Sequence, residues 1–550
     1  MATTTSAPRT AEDRGLRRDI GAVGLLFTGV GSIIGSGWLF SALYASQLAG
    51  PAAILSWVLG GIMIMLIGFT YAELGATFPV AGGVIRFPQF AFGSFASYSA
   101  GWITWLAAAA VTPIEVLATL QYATVIPGGY FTGLLTEEGG VPVLTPAGLV
   151  VSVILMFVYS LINVMGVRAF ARFNNVLVWW KLFIIVAVVV IFLGAAFNAD
   201  HFTSPELGGF APNGYEAVFT ALPSAGIVFA YLGFRQGVEF AGESSNPKKN
   251  VPIAVVGSII ITGIIYVALQ IAFIGALPSE TLSKGWSNLS FANDFGPLAG
   301  LSVLLGITIL AWALYIDAVI SPADTGLIYA GVTARLSYAQ ARNGNAPKAL
   351  TKLNSKGVPW VSVALMFVVG CIFFLPYPAW QKLVGFIVSA TVLSFGSGPL
   401  VLAALRRQLP DQERPYRLIG GDTIPFLAFL SSNLIVYWTD WSQNIAVFGA
   451  VLLGYVLFAI YHMASRGEAP PLQFRAGWWF LPWFGGLALL SWAGRYGGQE
   501  ILPMWWDLLA VTAFSAVIYA LAVASRLAPE QVVENIQRTP KDEEGAVGTP

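Results

Sequence analysis

Two glycine-rich stretches stand inside long apolar runs of this chain. The first reads Gly29-Val-Gly-Ser-Ile-Ile-Gly-Ser-Gly37, with four glycines and two serines. The second reads Phe229-Ala-Tyr-Leu-Gly-Phe-Arg-Gln-Gly237, with Pro223 shortly before it. Glycine in a helix interior costs about 1 kcal/mol, and a helix broken in lipid leaves N–H and C=O groups without water to satisfy them. Such breaks persist where they line a cavity that uses those groups, or where small residues let helices pack closely. At the first break, N–H groups near Ile34, Gly35, Ser36 and Gly37 would open a second half-helix and favour an anion such as a carboxylate. At the second, the carbonyls of Phe229, Ala230 and Leu232 would end a half-helix and favour an ammonium. An α-amino acid carries both groups at a suitable separation.

Ionisable residues within apolar runs are the other chemical candidates. Lys181 reads either as a snorkelling lysine whose amine reaches the interface or as a functional cation. Arg235 reads either as a structural ion-pair partner of Glu239, Glu115, Asp317 or Asp324, or as a direct contact for a substrate carboxylate. Either role disfavours a cationic substrate. Glu115, Asp317 and Asp324 are each a proton site or a counter-ion to Lys181 or Arg235.

The composition confines these residues to a membrane. Of 550 residues, 56% are hydrophobic and 10% charged, against about 25% charged in soluble domains. The formal net charge is zero, which removes the basic excess expected of a nucleic-acid partner, and no Walker-type motif points to a nucleotide. The single cysteine, Cys371, excludes an internal disulfide and a cysteine metal site. His201 and His462 sit beside apolar segments rather than within them. No cofactor or metal is expected. A membrane acyltransferase or hydrolase would need intramembrane histidine with Asp, Ser or metal ligands, so the chain does not read as an enzyme.

About 20 apolar residues span a bilayer as a helix. Runs of this kind lie near 20–43, 51–74, 94–124, 147–165, 176–197, 216–242, 251–277, 297–334, 358–377, 383–405, 423–438, 443–464, 477–494 and 502–525. Fourteen spans are therefore predicted, with the turn inside 423–464 marked by Thr439, Asp440 and Gln443. Residues 1–19 are polar and lack the apolar core of a cleavable signal peptide, and the polar stretch 526–550 reads as a disordered tail. With the N-terminus placed in the cytoplasm, 23 Lys and Arg residues fall inside and three outside (Lys284, Lys382 and Arg495), while Lys181 and Arg235 lie in spans. That asymmetry puts both termini in the cytoplasm.

The two breaks are five spans apart, an odd number, so a second five-helix unit would enter from the opposite face. Interrupted helices at matching places in inverted halves point to a transport site. At this point the chain resembles the amino acid–polyamine–organocation permeases, on five stretches: Gly31-Ser-Ile-Ile-Gly-Ser-Gly37, Asn174-Asn-Val-Leu-Val-Trp-Trp-Lys181, Phe229-Ala-Tyr-Leu-Gly-Phe234, Glu243-Ser-Ser-Asn-Pro-Lys-Lys-Asn-Val-Pro252 and Ala334-Arg-Leu-Ser-Tyr-Ala-Gln-Ala-Arg-Asn-Gly344. The two helices beyond the usual twelve look similar to the aspartate–proton symporter branch. The resemblance implies an all-α polytopic protein with a five-plus-five inverted repeat. Its core would be residues 20–405, with four further helices in 406–525. It assigns the two breaks to the substrate and gives Lys181 the space used by sodium in sodium-coupled relatives, hence a role in proton coupling. It makes Glu243 a gate or loop anchor. Arg235 departs from the family, in which an acidic residue is common there.

The resulting expectation is a multi-pass cell-membrane transporter of amino acids coupled to protons, with acidic substrates favoured; an exchanger or a neutral amino acid permease is the alternative. Topology is checked by labelling. With Cys371 replaced, cysteines at Ser204 and Ser279 should react with an impermeant thiol reagent on intact cells, whereas those at Ser245 and Ser355 should not. The reverse pattern would invert the orientation.

Overall fold

The computed structural model describes residues 20–538 except 81, 139–140, 166–167, 292–295, 377, 466–469 and 504, and it leaves the side chains of 168–175 undescribed. The expected N-terminal segment 1–19, the Asn174-Asn pair and the tail beyond 538 therefore lie outside the described residues or side chains.

The first apolar run forms two helices, α1 (Ala22–Ile33) and α2 (Gly37–Ala49), separated by the unwound Ile34–Ser36. One turn, Gly50–Ala52, leads into α3 (Ala53–Thr77). The expected loop between the second and third spans instead contains α4 (Gly83–Phe92). Gly82 (φ 65°) and Gly93 (φ 84°) bound it in backbone conformations that glycine adopts without strain. Next come α5 (Ser94–Ala123), α6 (Pro146–Met165) and α7 (Arg168–Ala196). A small antiparallel hairpin joins α5 to α6: β1 (Leu135–Glu138) pairs with β2 (Val141–Leu144), Leu135 opposite Leu144 and Glu138 opposite Val141. The all-helical expectation is corrected to that extent.

The sixth run is cut twice, giving α8 (Glu216–Ser224), α9 (Ile227–Tyr231) and α10 (Gln236–Glu239). Gly226 (φ 78°) makes the first cut and Gly233 (φ 119°) the second. The sequence located only the second, together with Pro223. The chain continues through α11 (Pro247–Ala276) and the single turn α12 (Ser279–Leu282). The long eighth run divides into α13 (Pro297–Leu304) and α14 (Thr308–Arg342), because Gly306 takes φ 73°. After α15 (Trp360–Phe373), the tenth run divides at Gly396 into α16 (Trp380–Phe395) and α17 (Ser397–Gln408). The remaining elements are α18 (Thr423–Trp438), α19 (Trp441–Ala464), α20 (Phe474–Gly477), α21 (Phe480–Ala493), α22 (Trp506–Ser525) and α23 (Pro529–Gln537). The turn between α18 and α19 falls at Thr439 and Asp440, where Asp440 accepts the Ser442 N–H.

Among the described residues, eight helices are long and apolar enough to cross a membrane, or nine counting the bent 216–239 pair as one span. Three shorter apolar helices accompany them. This is a multi-pass membrane protein. The apolar windows of α5 and of α16–α17 are wholly enclosed, whereas α6, α19 and α22 present most of their surface outward. The alanine run Ala107–Ala110 in the middle of α5 is buried, and small side chains of this kind let α5 approach α14 and α16 closely.

Two connections tie distant parts together. Glu73, near the end of α3, is fully buried. It takes the Arg406 Nε at 2.9 Å, a second contact from Arg406 Nη2, Arg414 Nη1 at 3.5 Å and the Leu418 N–H at 2.8 Å. The tail, expected to be disordered from 526, is helical over Pro529–Gln537 and buries Val532. It packs on α4 through Leu527 N–H to Ala91 O (3.1 Å) and Asn535 Nδ2 to Gln89 O (3.0 Å). An apolar stripe on an otherwise polar segment explains its order.

Removing one partner of a buried ion network costs about 3–5 kcal/mol. Glu73→Ala should therefore lower the melting temperature in detergent markedly, while Arg417→Ala, at an exposed position, should change stability by no more than about 0.5 kcal/mol. Equal effects would show that Glu73 is not a structural centre.

Candidate functional site

Building outward from the first break, Ile34 still donates its N–H to Val30 O (2.9 Å), and Gly35 donates to Ile33 O (3.0 Å). Leu39 N–H closes on Ser36 O (3.1 Å). The Ser36 N–H points out of the helix to Glu115 Oε2 on α5, at 2.8 Å. The expected row of backbone donors is thus partly used. Gly35 is committed locally because the chain makes a tight turn before α2, and Ser36 already holds a carboxylate of the protein itself.

The freed carbonyls of α1 are met from three helices. Lys181 Nζ on α7 donates to Gly31 O (2.9 Å). Thr325 Oγ1 on α14 reaches Gly31 O (3.2 Å) and Ile34 O (3.3 Å), and Tyr266 OH on α11 reaches Ile33 O (3.4 Å). Lys181 also donates to Thr325 Oγ1 at 3.2 Å and forms an ion pair with Asp324 Oδ2 at 2.7 Å, with both side chains fully buried. Lys181 is therefore not a snorkelling lysine; its amine points inward to the break. Asp317, two turns from Asp324 on α14, accepts Trp180 Nε1 (2.9 Å) and Ser321 Oγ (2.8 Å).

The second break lies against the first. Gly233 packs so tightly that a Cβ would fall 2.6 Å from the backbone of Ser32, and one on Gly37 would fall 3.0 Å from the Ala230 Cα. The Phe229 carbonyl, one of three expected to face an ammonium, accepts the Leu232 N–H at 3.1 Å. Arg235 donates from Nη1 to Ser394 Oγ (2.8 Å), lies over the Phe395 ring (4.9 Å) and has Glu239 3.7 Å from its Nε. Of the four carboxylates considered for Arg235, Glu239 is the one beside it. Glu243 stands apart in the half-buried loop after α10. There its main-chain carbonyl accepts the Ile20 N–H (3.1 Å), and Ser245 N–H returns to Ile20 O (2.9 Å).

Several residues here carried no signal in the sequence. Trp380, the first residue of α16, donates Nε1 to Ser36 Oγ (2.9 Å) and packs with Phe40, Tyr44 and Phe229 over one side of the break. Thr325 could have been found as the neighbour of Asp324, whereas nothing local marks Trp380, Tyr266 or Ser394.

Two unwound stretches interlocked inside a membrane bundle, with backbone donors, carbonyls and an inward lysine, form the kind of site that membrane transporters build from discontinuous helices. A family model described as amino acid permease matches residues 20–489, and the chain belongs to that family. It is 36% identical to the glutamate/serine transporter AimA of Bacillus subtilis over 93% of this chain and 94% of the relative. It is 35% identical to the aspartate-proton symporter of the same organism, over 90% and 94%. A branched-chain amino acid permease, BcaP of B. subtilis, is 26% identical over 82% and 94%.

The Lys181–Asp324 pair gives a direct stability test. Lys181→Met or Asp324→Leu alone leaves one buried charge and should cost about 3–5 kcal/mol. The double variant should recover most of that loss in a double-mutant cycle followed by thermal unfolding in detergent. Additive losses would mean the two side chains act independently.

Proposed function

We propose that this permease is a proton-coupled symporter that takes up amino acids, with acidic amino acids favoured. The observation that carries the reading is the seating of Gly233 against Ser32 and of Gly37 against Ala230. It sets the start of α2 beside the end of α9, an anion-favouring helix end next to a cation-favouring one. A zwitterionic amino acid fits that pair of ends through Ile34–Gly37 on one side and Phe229, Ala230 and Leu232 on the other. The acidic preference is supported by the substrates in the names of the glutamate/serine and aspartate relatives. Arg235 is the cation that would read a second carboxylate.

Coupling is assigned to Lys181, whose amine holds Gly31 O and Asp324 at once. Loss or gain of a proton there would loosen or tighten α1 against α7 and α14. Asp324 is its counter-ion; Asp317 and Glu115 are further proton sites, and Glu243 is an anchor at the end of the sixth span. The wider reading has fourteen spans with a five-plus-five inverted core over 20–405, four added helices over 406–525 and both termini in the cytoplasm of a cell membrane. It is supported by the paired interruptions in the first and sixth runs and by the charge asymmetry of the loops.

Proteoliposomes test this reading. With an inward proton gradient the wild type should accumulate labelled glutamate, and Lys181→Ala should abolish accumulation while retaining counterflow. Wild-type counterflow without net uptake would make the protein an exchanger. Hydrogen bonds to charged groups contribute about 1.5–3 kcal/mol each, so Arg235→Gln should weaken glutamate roughly ten- to a hundredfold and glutamine little. An equal loss for both would leave Arg235 as the partner of Glu239 and remove the acidic assignment.

A further inference from the structure

The N–H that opens α2 is occupied in this structure by a carboxylate of the protein. Glu115 Oε2 accepts the Ser36 N–H at 2.8 Å. Its other oxygen, Oε1, is buried without a hydrogen-bond partner among the described residues. Glu115 gets this close because position 35 has no side chain: a Cβ on Gly35 would lie 2.5 Å from Oε1. Of the donors around it, Gly35 N–H is spent on Ile33 O and Leu39 N–H on Ser36 O.

We propose that Glu115 is an internal anion that competes with the substrate's α-carboxylate for the start of α2, so that an amino acid binds when Glu115 is protonated and gives up Ser36. This inference rests on the reading that the substrate carboxylate is held at that helix end.

The surroundings make the competition sharp. The groups facing Glu115 are Lys181 from α7, Tyr159 from α6, Tyr266 from α11, and Tyr329 and Thr325 from α14. The tyrosines are neutral, and the lysine is paired with Asp324 at 2.7 Å. The charge of Glu115 is thus balanced chiefly by the end of α2, where a second carboxylate brought to the same buried helix end would be repelled by the first. Charged Glu115 blocks the substrate and protonated Glu115 admits it, so each binding event is linked to uptake of one proton, and affinity falls as pH rises through the titration of this group. A molecule lacking the carboxylate gains nothing from the displacement.

The test is binding to the purified full-length protein in detergent, with L-glutamate and isoglutamine, its α-amide, as probes between about pH 5 and about pH 9. Wild-type affinity for glutamate should fall by about tenfold per pH unit on the alkaline limb. Glu115→Gln should flatten that limb and bind glutamate at least about tenfold more tightly than wild type at the alkaline end. Should Glu115→Gln fail to fold, Gly35→Ala, whose methyl pushes the carboxyl off Ser36, should give the same flattening. A wild-type affinity insensitive to pH, or a slope unchanged in the variant, would overturn the proposal and leave Glu115 as a helix cap. Isoglutamine binding as tightly as glutamate in every protein would instead overturn the placement of the substrate carboxylate at α2.

Discussion

Cutting a helix inside an apolar span strands N–H and C=O groups where no water replaces the lost bonds. Between α1 and α2 these groups are met one by one by side chains from other helices. Glu115 comes from α5, Lys181 from α7, Tyr266 from α11 and Thr325 from α14. Four helices must therefore converge on a three-residue gap, and much of the bundle can be understood as what holds them there. The alanine run of α5 brings Glu115 close, and Asp324 offsets the charge that Lys181 carries into the interior. The second break, in the sixth run, fits against the first because neither Gly233 nor Gly37 has a side chain to keep them apart.

The gaps themselves were legible in the sequence, because glycine clusters contradict the apolar helices around them. The ionisable residues were legible for the same reason: a charge in such a run stands out. Their pairings were not. Lys181 meets Asp324 across 143 positions, and no local pattern distinguishes Asp324 from Asp317. The backbone expectation failed in detail for a related reason. Whether an N–H such as that of Gly35 is free depends on how the chain turns, and Ile34–Ser36 turn tightly enough to use it. Gly306 split a run whose hydropathy is continuous, and α4 and α23 went unseen because short amphipathic helices resemble loops in a hydropathy reading. The family resemblance supplied the role of Lys181, which its side-chain chemistry alone left open.

The helices after α17 brace the tenth run, and α18 also packs on α3 and on α8, where Trp438 stacks on Phe219. Asn444 of α19 accepts Ser389 Oγ of α16 at 2.5 Å and donates to Val436 O and Thr439 O, the latter just past α18, and to Ser491 Oγ of α21. Asn433 of α18 takes Trp483 Nε1 and donates to Ser515 of α22. Amide side chains satisfied on several sides specify one packing where apolar contacts alone would tolerate several. The element braced in this way carries Trp380 at one end and Ser394 and Phe395 near the other, so the bracing bears on both the aromatic cover and Arg235.

Glu73 has a consequence for how the protein is made. Its main partner, Arg406, lies 333 residues later in the chain, which at ribosomal rates is on the order of twenty to seventy seconds of synthesis. For that interval α3 exists with a carboxylate destined for full burial and no arginine to meet it. The packing around Glu73 consequently cannot be completed in order of emergence. It waits for α17 and the loop after it, which bring Arg406, Arg414 and the Leu418 N–H. Assembly is thus closed from the C-terminal side, and an interrupted chain is left carrying an unpaired buried charge that marks it as incomplete.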